Sequence, residues 1–309
     1  MEIKMKKKKF ELIVVIAMML TLIINTTCVS ANDKTNDDYS IPQKIIDIAN
    51  GSDEIYGEGV PIEHIDPNKP QPKFTSGGID HTHQYIVASA LVILSNDQGT
   101  SVLNNADYAD TLMLSTDWPD KLGNETDYGT FSGHFYDPDT EKNWLGQTSP
   151  TAKTRAASYF NKAVEAYTQG QIESAMVYIG RGSHYVSDLN EPHHASNLTA
   201  INSNHTAFET YVDEHRNEYK ISGNTLSEGI YTDATSMEIN SLLKNAAKQA
   251  KNIVGEAQNE STYSSAGDKC VKNAVVTEYS CAMKSHFRKF GNQMSGSGNH
   301  LCNYASLLA

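Results

Sequence analysis

The sequence predicts an all-α chain, and three observations carry that expectation. Apolar residues recur at helical spacing in successive stretches, sustained strand alternation is absent, and no internal repeat appears. The expected organisation is a leader over residues 1–31, a pro-segment or extended arm over 32–73, and one main domain over 74–309.

The leader reads as a secretory signal peptide. Lys4 and Lys6 to Lys9 form a positive start, Leu12 to Ile24 form an apolar run, and Val29-Ser30-Ala31 offers a small-residue cleavage site. That run is short for the roughly 20 residues that span a bilayer, so cleavage and an extracellular location are expected. Residues 32–73 are polar and broken by Pro42, Pro61, Pro67, Pro70 and Pro72, with a short amphipathic stretch around Ile41 to Ile48.

Helical periodicity then begins. Ile86, Val87, Ala90, Leu91 and Leu94 follow i, i+3, i+4 spacing. Residues 150–168 open on a proline and end near Gly170, and 172–186 continue as a third helix with Ala175, Met176, Tyr178 and Ile179 facing the core. Residues 205–219, 234–257 and 272–290 read as three more. Segment 107–149 is expected to be irregular, because Asp, Gly, Asn, Pro and aromatics dominate it. It is too long for a simple connector, and its histidine and aspartates favour a functional role.

Charge excludes one class of partner. Without residues 1–31 the chain loses five of 25 basic and two of 37 acidic side chains, leaving 20 against 35 and a net charge of −15. Long nucleic acids demand a basic face, so no nucleic-acid partner is expected. Cys270, Cys281 and Cys302 remain after the leader, without zinc-finger spacing; one disulfide and one free thiol are compatible with export.

The densest chemical signal is HYVSDLNEPHHASNLTAINSNHTAFE, residues 184–209. His184 and Asp188 lie one helical turn apart, as do His205 and Glu209, with His193 and His194 between the two pairs. Imidazole nitrogens and carboxylate oxygens at this spacing suit zinc. His83 opens the first apolar helix, while Asp120 and His134 lie in the aspartate-rich segment.

THQYIV at 82–87, STDWPD at 115–120, GHFYDPD at 133–139, HY-x-x-D at 184–188, PHHASN at 192–197, and His205 with Phe208-Glu209 resemble the bacterial zinc-dependent phospholipase C family, in order and nearly in spacing. The resemblance implies that family's all-α fold, with a long irregular metal-binding segment between helices. It implies three zinc positions: Asp120, His134, His184 and Asp188 at one; His194, His205 and Glu209 at a second; and His83 with a bridging Asp188 at the third. The Pro-x-His register favours His194 over His193. In the family the third position also takes the backbone amine and carbonyl of an N-terminal tryptophan. Here the tryptophans are Trp118 and Trp144, both downstream of His83, so a cut near Lys73 or Phe74 is expected to supply those backbone atoms.

The implied reaction is hydrolysis of the glycerol-side phosphodiester bond of a phospholipid by zinc-activated water, giving diacylglycerol and phosphorylated headgroup. Asp120 is the candidate to orient or deprotonate that water, and Phe131 and Tyr136 are the candidate headgroup contacts, by cation–π attraction for choline. Lys121 departs from the aromatic found beside Asp120 in the choline-preferring pattern. Three zincs against Asp120, Asp188 and Glu209 leave a pocket of about +3, which would admit a phosphodiester into an acidic protein. The expected partner is a phospholipid membrane surface met by a monomer. Two alternatives stand beside this reading: a zinc nuclease on the related helical scaffold, and a secreted metal-binding relative without activity.

Overall fold

The computed structural model describes residues 41–58, 81–98, 103, 105–220 and 237–287, and among them every regular element is helical. The only bridge of strand type among these residues is the isolated pair Asp137 and Lys142. The helices are α1 (Gln43–Ala49), α2 (Thr82–Gln98), α3 (Ala106–Thr116), α4 (Ala152–Thr168), α5 (Ile172–Asn190), α6 (His205–His215), α7 (Ile239–Asn252), α8 (Val254–Ala257) and α9 (Tyr263–Phe287). The expected leader and residues 288–309 lie outside the described residues. No described helix is long and apolar enough to cross a membrane.

Local chemistry sets the helix starts. Asn105 caps α3 by accepting the Asp107 N–H at 3.0 Å, and Asp107 adds a negative charge to the positive end of the helix dipole. Thr151 and Thr154 form a capping box at α4, so that helix starts at Ala152 rather than at Pro150. Asp213 of α6 caps α2 from another part of the chain, accepting from the His81 N–H at 3.1 Å and from Thr82 Oγ1 at 2.7 Å.

Helix α5 is the pivot of the fold and packs against α4, α3, α9 and α7. Ala175, Met176 and Ile179 join one apolar cluster with residues of α1, α2, α3 and α9. Tyr185, Val186 and Leu189 join a second with residues of α4 and α7. Two glycines permit its close contacts. A Cβ on Gly180 would stand 2.2 Å from the Leu112 carbonyl oxygen of α3, and one on Gly182 would stand 3.2 Å from the Phe160 ring. Side chains there would push α5 away from α3 and α4.

Two expectations need correction. Segment 107–149 is not irregular throughout, because its first ten residues complete α3. Ala109, Leu112, Met113 and Thr116 are buried at helical spacing, while Asp107 and Asp110 sit on the other face. Helix α9 begins at Tyr263, nine residues before the expected start, with Tyr263, Ala266 and Cys270 buried. Cys270 and Cys281 are buried on that helix; Cys302 lies outside the described residues.

The amphipathic stretch of the expected arm is a packed element. Ile41, Ile45, Ile48, Ile55 and Tyr56 are buried, and α1 lies against α2. Gln84 of α2 grips the Tyr56 backbone twice, accepting its N–H at 2.8 Å and donating to its carbonyl at 3.0 Å. Arg216 pairs with Asp53 on the same segment.

Candidate metal centre

Six elements converge on one buried group of side chains. His83 comes from the first turn of α2, Asp120 from the 3-10 turn Trp118–Asp120 after α3, and His134 from the turn Ser132–His134. His184 and Asp188 lie one turn apart near the end of α5. His194 follows in the turn His194–Ser196, and His205 and Glu209 open α6. All eight are at most 4 % exposed, which for charged and polar side chains demands internal partners.

The loop carrying His134 is held by ion pairing and unusual backbone. Asp127, Tyr128 and Phe131 have positive φ, a conformation costly for residues with a Cβ. Arg155 of α4 clamps Asp127 at 2.6 Å, and the other Asp127 oxygen accepts the Gly133 N–H at 2.7 Å. A Cβ on Gly133 would meet the Arg155 guanidinium at 2.1 Å, so a side chain there would displace the clamp on Asp127.

Hydrogen bonds from the far side of three rings fix which nitrogen faces inward. His184 Nδ1 lies 3.0 Å from the Thr116 carbonyl, His194 Nδ1 lies 2.9 Å from the His134 carbonyl, and His134 Nε2 lies 3.3 Å from the Glu125 carbonyl. A carbonyl only accepts, so these contacts are hydrogen bonds in the tautomer in which each of these nitrogens carries the proton. The lone pairs of His184 Nε2, His194 Nε2 and His134 Nδ1 are left for the centre.

Those lone pairs crowd one another and the carboxylates. His134 Nδ1 lies 3.1 Å from His184 Nε2, 3.0 Å from Asp188 Oδ2 and 3.5 Å from Asp120 Oδ1. His184 Nε2 lies 3.5 Å from Asp120 Oδ1 and 3.4 Å from Asp188 Oδ2. Acceptors at these distances repel unless a cation lies among them. Donors at about 2.0–2.1 Å around a tetrahedral zinc stand roughly 3.4 Å apart, and all five of these distances are close to that value. The residues therefore fit a zinc ion.

A second set adjoins the first through His194, whose Nδ1 is 3.3 Å from Asp188 Oδ1. Here His194, His205 and Glu209 are joined by Glu191, with one ligand atom from each within 4.8 Å of the others. His205 Nε2 lies 2.7 Å and His194 Nε2 3.4 Å from Glu209 Oε1. His194 Nε2 is buried without a hydrogen-bond partner, as expected of an atom that waits for a metal. Glu191 was not among the residues expected from the sequence, although it stands only three positions before His194.

His83 completes a third group with Asp120 and His184. Its ring stacks on His184 at 4.1 Å, and its Nε2 is 3.8 Å from Asp120 Oδ2. Asp120 is thus a carboxylate beside it.

Burial keeps the imidazoles neutral, which is the form that binds metal. Desolvation, with repulsion from His194, lowers the His83 pKa to about 3, and desolvation lowers that of His194 to about 4. Burial and the neighbouring cationic and imidazole groups also hold His134, His184 and His205 well below the usual histidine range.

The expected headgroup aromatics fall in different surroundings. Phe131 is buried with its ring edge-on to His134 at 5.7 Å. Tyr136 lies in the second apolar cluster beneath Lys153 and touches the site through its backbone, donating its N–H to the His194 carbonyl at 3.1 Å.

Comparison with known proteins agrees with this geometry. The family described as zinc dependent phospholipase C matches residues 82–256. A phospholipase C of Paraclostridium bifermentans is 33% identical over 172 residues, covering 50% of this chain and 43% of that protein. One of Bacillus cereus is 32% identical over 154 residues, covering 46% and 52%. The chain thus spans about half the length of the curated relatives it matches. Among solved structures, the alpha toxin of Clostridium absonum superposes with a TM-score of 0.55 at 26% identity, covering 65% of this chain and 62% of the toxin. An avian-strain Clostridium perfringens alpha-toxin gives 0.56 at 25%, covering 69% and 64%.

Proposed function

The chain belongs to the zinc-dependent phospholipase C family, and from that premise we propose that it is a secreted phosphoric diester hydrolase acting on phospholipids at a membrane surface. It cleaves the glycerol-side phosphodiester bond and yields diacylglycerol and a phosphorylated headgroup. The observation that supports this reading most is the set of inward-facing lone pairs on His134 and His184, crowded against Asp120 and Asp188 at 3.0–3.5 Å.

Asp120, His134, His184 and Asp188 would hold one zinc, and His194, His205 and Glu209 a second. His83, with Asp120 or Asp188, is the side-chain part of a third position. Zinc, when bound, supplies Lewis acidity toward phosphoryl oxygens and lowers the pKa of water.

The chain's own residues do the rest. Asp120 bears carboxylate oxygens toward His83, His134 and His184, so it is the candidate to orient a water or take its proton. The carbonyls of Thr116, Glu125 and His134 hold three imidazoles in one tautomer, so no ring must turn during the reaction. Phe131, edge-on to His134, is the better-placed aromatic for a headgroup cation; Tyr136 is enclosed in the core cluster.

The test is release of phosphorylated headgroup from mixed phospholipid vesicles by zinc-replete protein, run beside single-stranded nucleic acid as a competing substrate. Chelator-sensitive headgroup release that leaves diacylglycerol behind is the expected result. Cleavage of the nucleic acid alone would replace this reading with the nuclease, and cleavage of neither with a metal-binding relative.

A further inference from the structure

Glu191 and His193 are buried, charged or polar, and unused by the reaction described above. Both are fully enclosed, at 0 % exposure, in the connection between α5 and α6. Glu191 Oε1 is 2.8 Å from His193 Nδ1, and Glu191 Oε2 accepts the His194 N–H at 2.6 Å. His193 is itself anchored, with Nε2 at 3.2 Å from Asn204 Oδ1 and its ring stacked on His205 at 5.1 Å. The carboxylate is therefore fixed from both ends in one orientation.

That orientation directs Glu191 to the second group of ligands. Its Oε2 lies 3.8 Å from His205 Nε2, and it shares with His194, His205 and Glu209 the four-residue arrangement whose ligand atoms all lie within 4.8 Å. A carboxylate oxygen has two lone pairs, so Oε2 can hold the His194 N–H and still offer one to a cation. The buried His194 Nε2, which lacks a hydrogen-bond partner, is directed into the same group.

We infer that Glu191 is a fourth protein donor at the zinc position of His194, His205 and Glu209, and that His193 is the positioning residue that aims it. The inference rests on the zinc reading of that cluster and goes beyond it. Four protein donors, two of them carboxylates, neutralise a dication at this position and bind it more tightly than three would.

The experiment compares Glu191→Gln and Glu209→Gln with the parent protein, all loaded with zinc. The amide of the Glu191→Gln variant keeps an oxygen for the His194 N–H while losing the charge, so a purely local structural role survives the change. Zinc retained at graded chelator concentrations is measured, together with the visible absorption of the cobalt(II)-substituted proteins. The expected result is that each variant releases one zinc at a chelator concentration at least about tenfold lower, with an altered cobalt spectrum.

Glu209→Gln weakened and Glu191→Gln unchanged would overturn the role of Glu191 alone. Both unchanged would overturn the reading of the cluster itself. If Glu191→Gln does not fold, the zinc-loaded parent decides by anomalous diffraction. A zinc peak at about 2.0–2.2 Å from a Glu191 oxygen agrees with the inference, and one beyond about 3 Å contradicts it.

Discussion

His134 Nδ1 and His184 Nε2 face each other across 3.1 Å, while the other nitrogen of each ring meets a backbone carbonyl. Asp188 presses an oxygen within 3.4 Å of both. In the tautomer that directs these nitrogens inward, three acceptors at such distances are held together by a cation.

Replacing Asp188 by Asn should release more than one equivalent of zinc. Asp188 meets His134 and His184 through one oxygen, and its other oxygen lies 3.3 Å from His194 Nδ1, so its change disturbs the first ligand group and a ring of the second. Elemental analysis after dialysis reads the result; zinc content equal to the parent would exclude a shared role for this carboxylate.

The metal-free protein should lose stability as pH falls below about 6.5. The folded-state pKa values of His83 and His194 are lowered to about 3 and about 4 from 6.5, so the unfolded chain takes up protons first. Stability therefore falls with falling pH across that window, by about 1.4 kcal/mol per pH unit for each such histidine, and the loss levels off below the folded pKa. Thermal unfolding of chelated protein between pH 7 and pH 4 measures this. A flat profile would mean that these imidazoles are not held neutral.

Gly180→Ala should weaken both the fold and the centre. A Cβ 2.2 Å from the Leu112 carbonyl cannot fit without moving α5 from α3, and that contact holds His184 against Thr116. Overpacking of this kind costs about 1–3 kcal/mol. The melting temperature should fall and zinc should leave at lower chelator concentration. Gly123→Ala supplies a contrast, since its Cβ meets nothing within 4 Å although its positive φ adds backbone strain.

Ile45→Ala should destabilise the protein by about 2–5 kcal/mol if residues 41–58 remain with the domain, because Ile45 is fully buried against α2. Denaturant unfolding of the secreted, fully processed protein gives the answer. An unchanged midpoint would show that the segment is removed during maturation, as the sequence alone leads one to expect.

How much was legible depends on whether a feature is carried by side-chain type. Helices α4 and α5 were legible because Ala156, Phe160 and Ala163, and Ala175, Met176 and Ile179, keep one apolar face. Helix α3 was not, because its aspartates and threonines imitate loop composition while Leu112 and Met113 do the packing. The start of α9 was hidden in the same way by Ser264, Ser265 and Asp268.

In the site, the paired spacing of His184 with Asp188 and His205 with Glu209 announced donors on one face. The carbonyls of Thr116, Glu125 and His134 could not be read, since every residue carries one. Glu191 was visible as a carboxylate in the connector, but its direction depends on His193 and the His194 N–H, which only the folded chain brings to it.

The most direct test of the zinc centre is anomalous diffraction at the zinc edge from crystals of the zinc-loaded protein. A strong peak is expected among His134 Nδ1, His184 Nε2, Asp120 and Asp188, and a second beside His194 Nε2 and Glu209. Density with no anomalous peak among these atoms, in protein carrying stoichiometric zinc, would contradict this expectation.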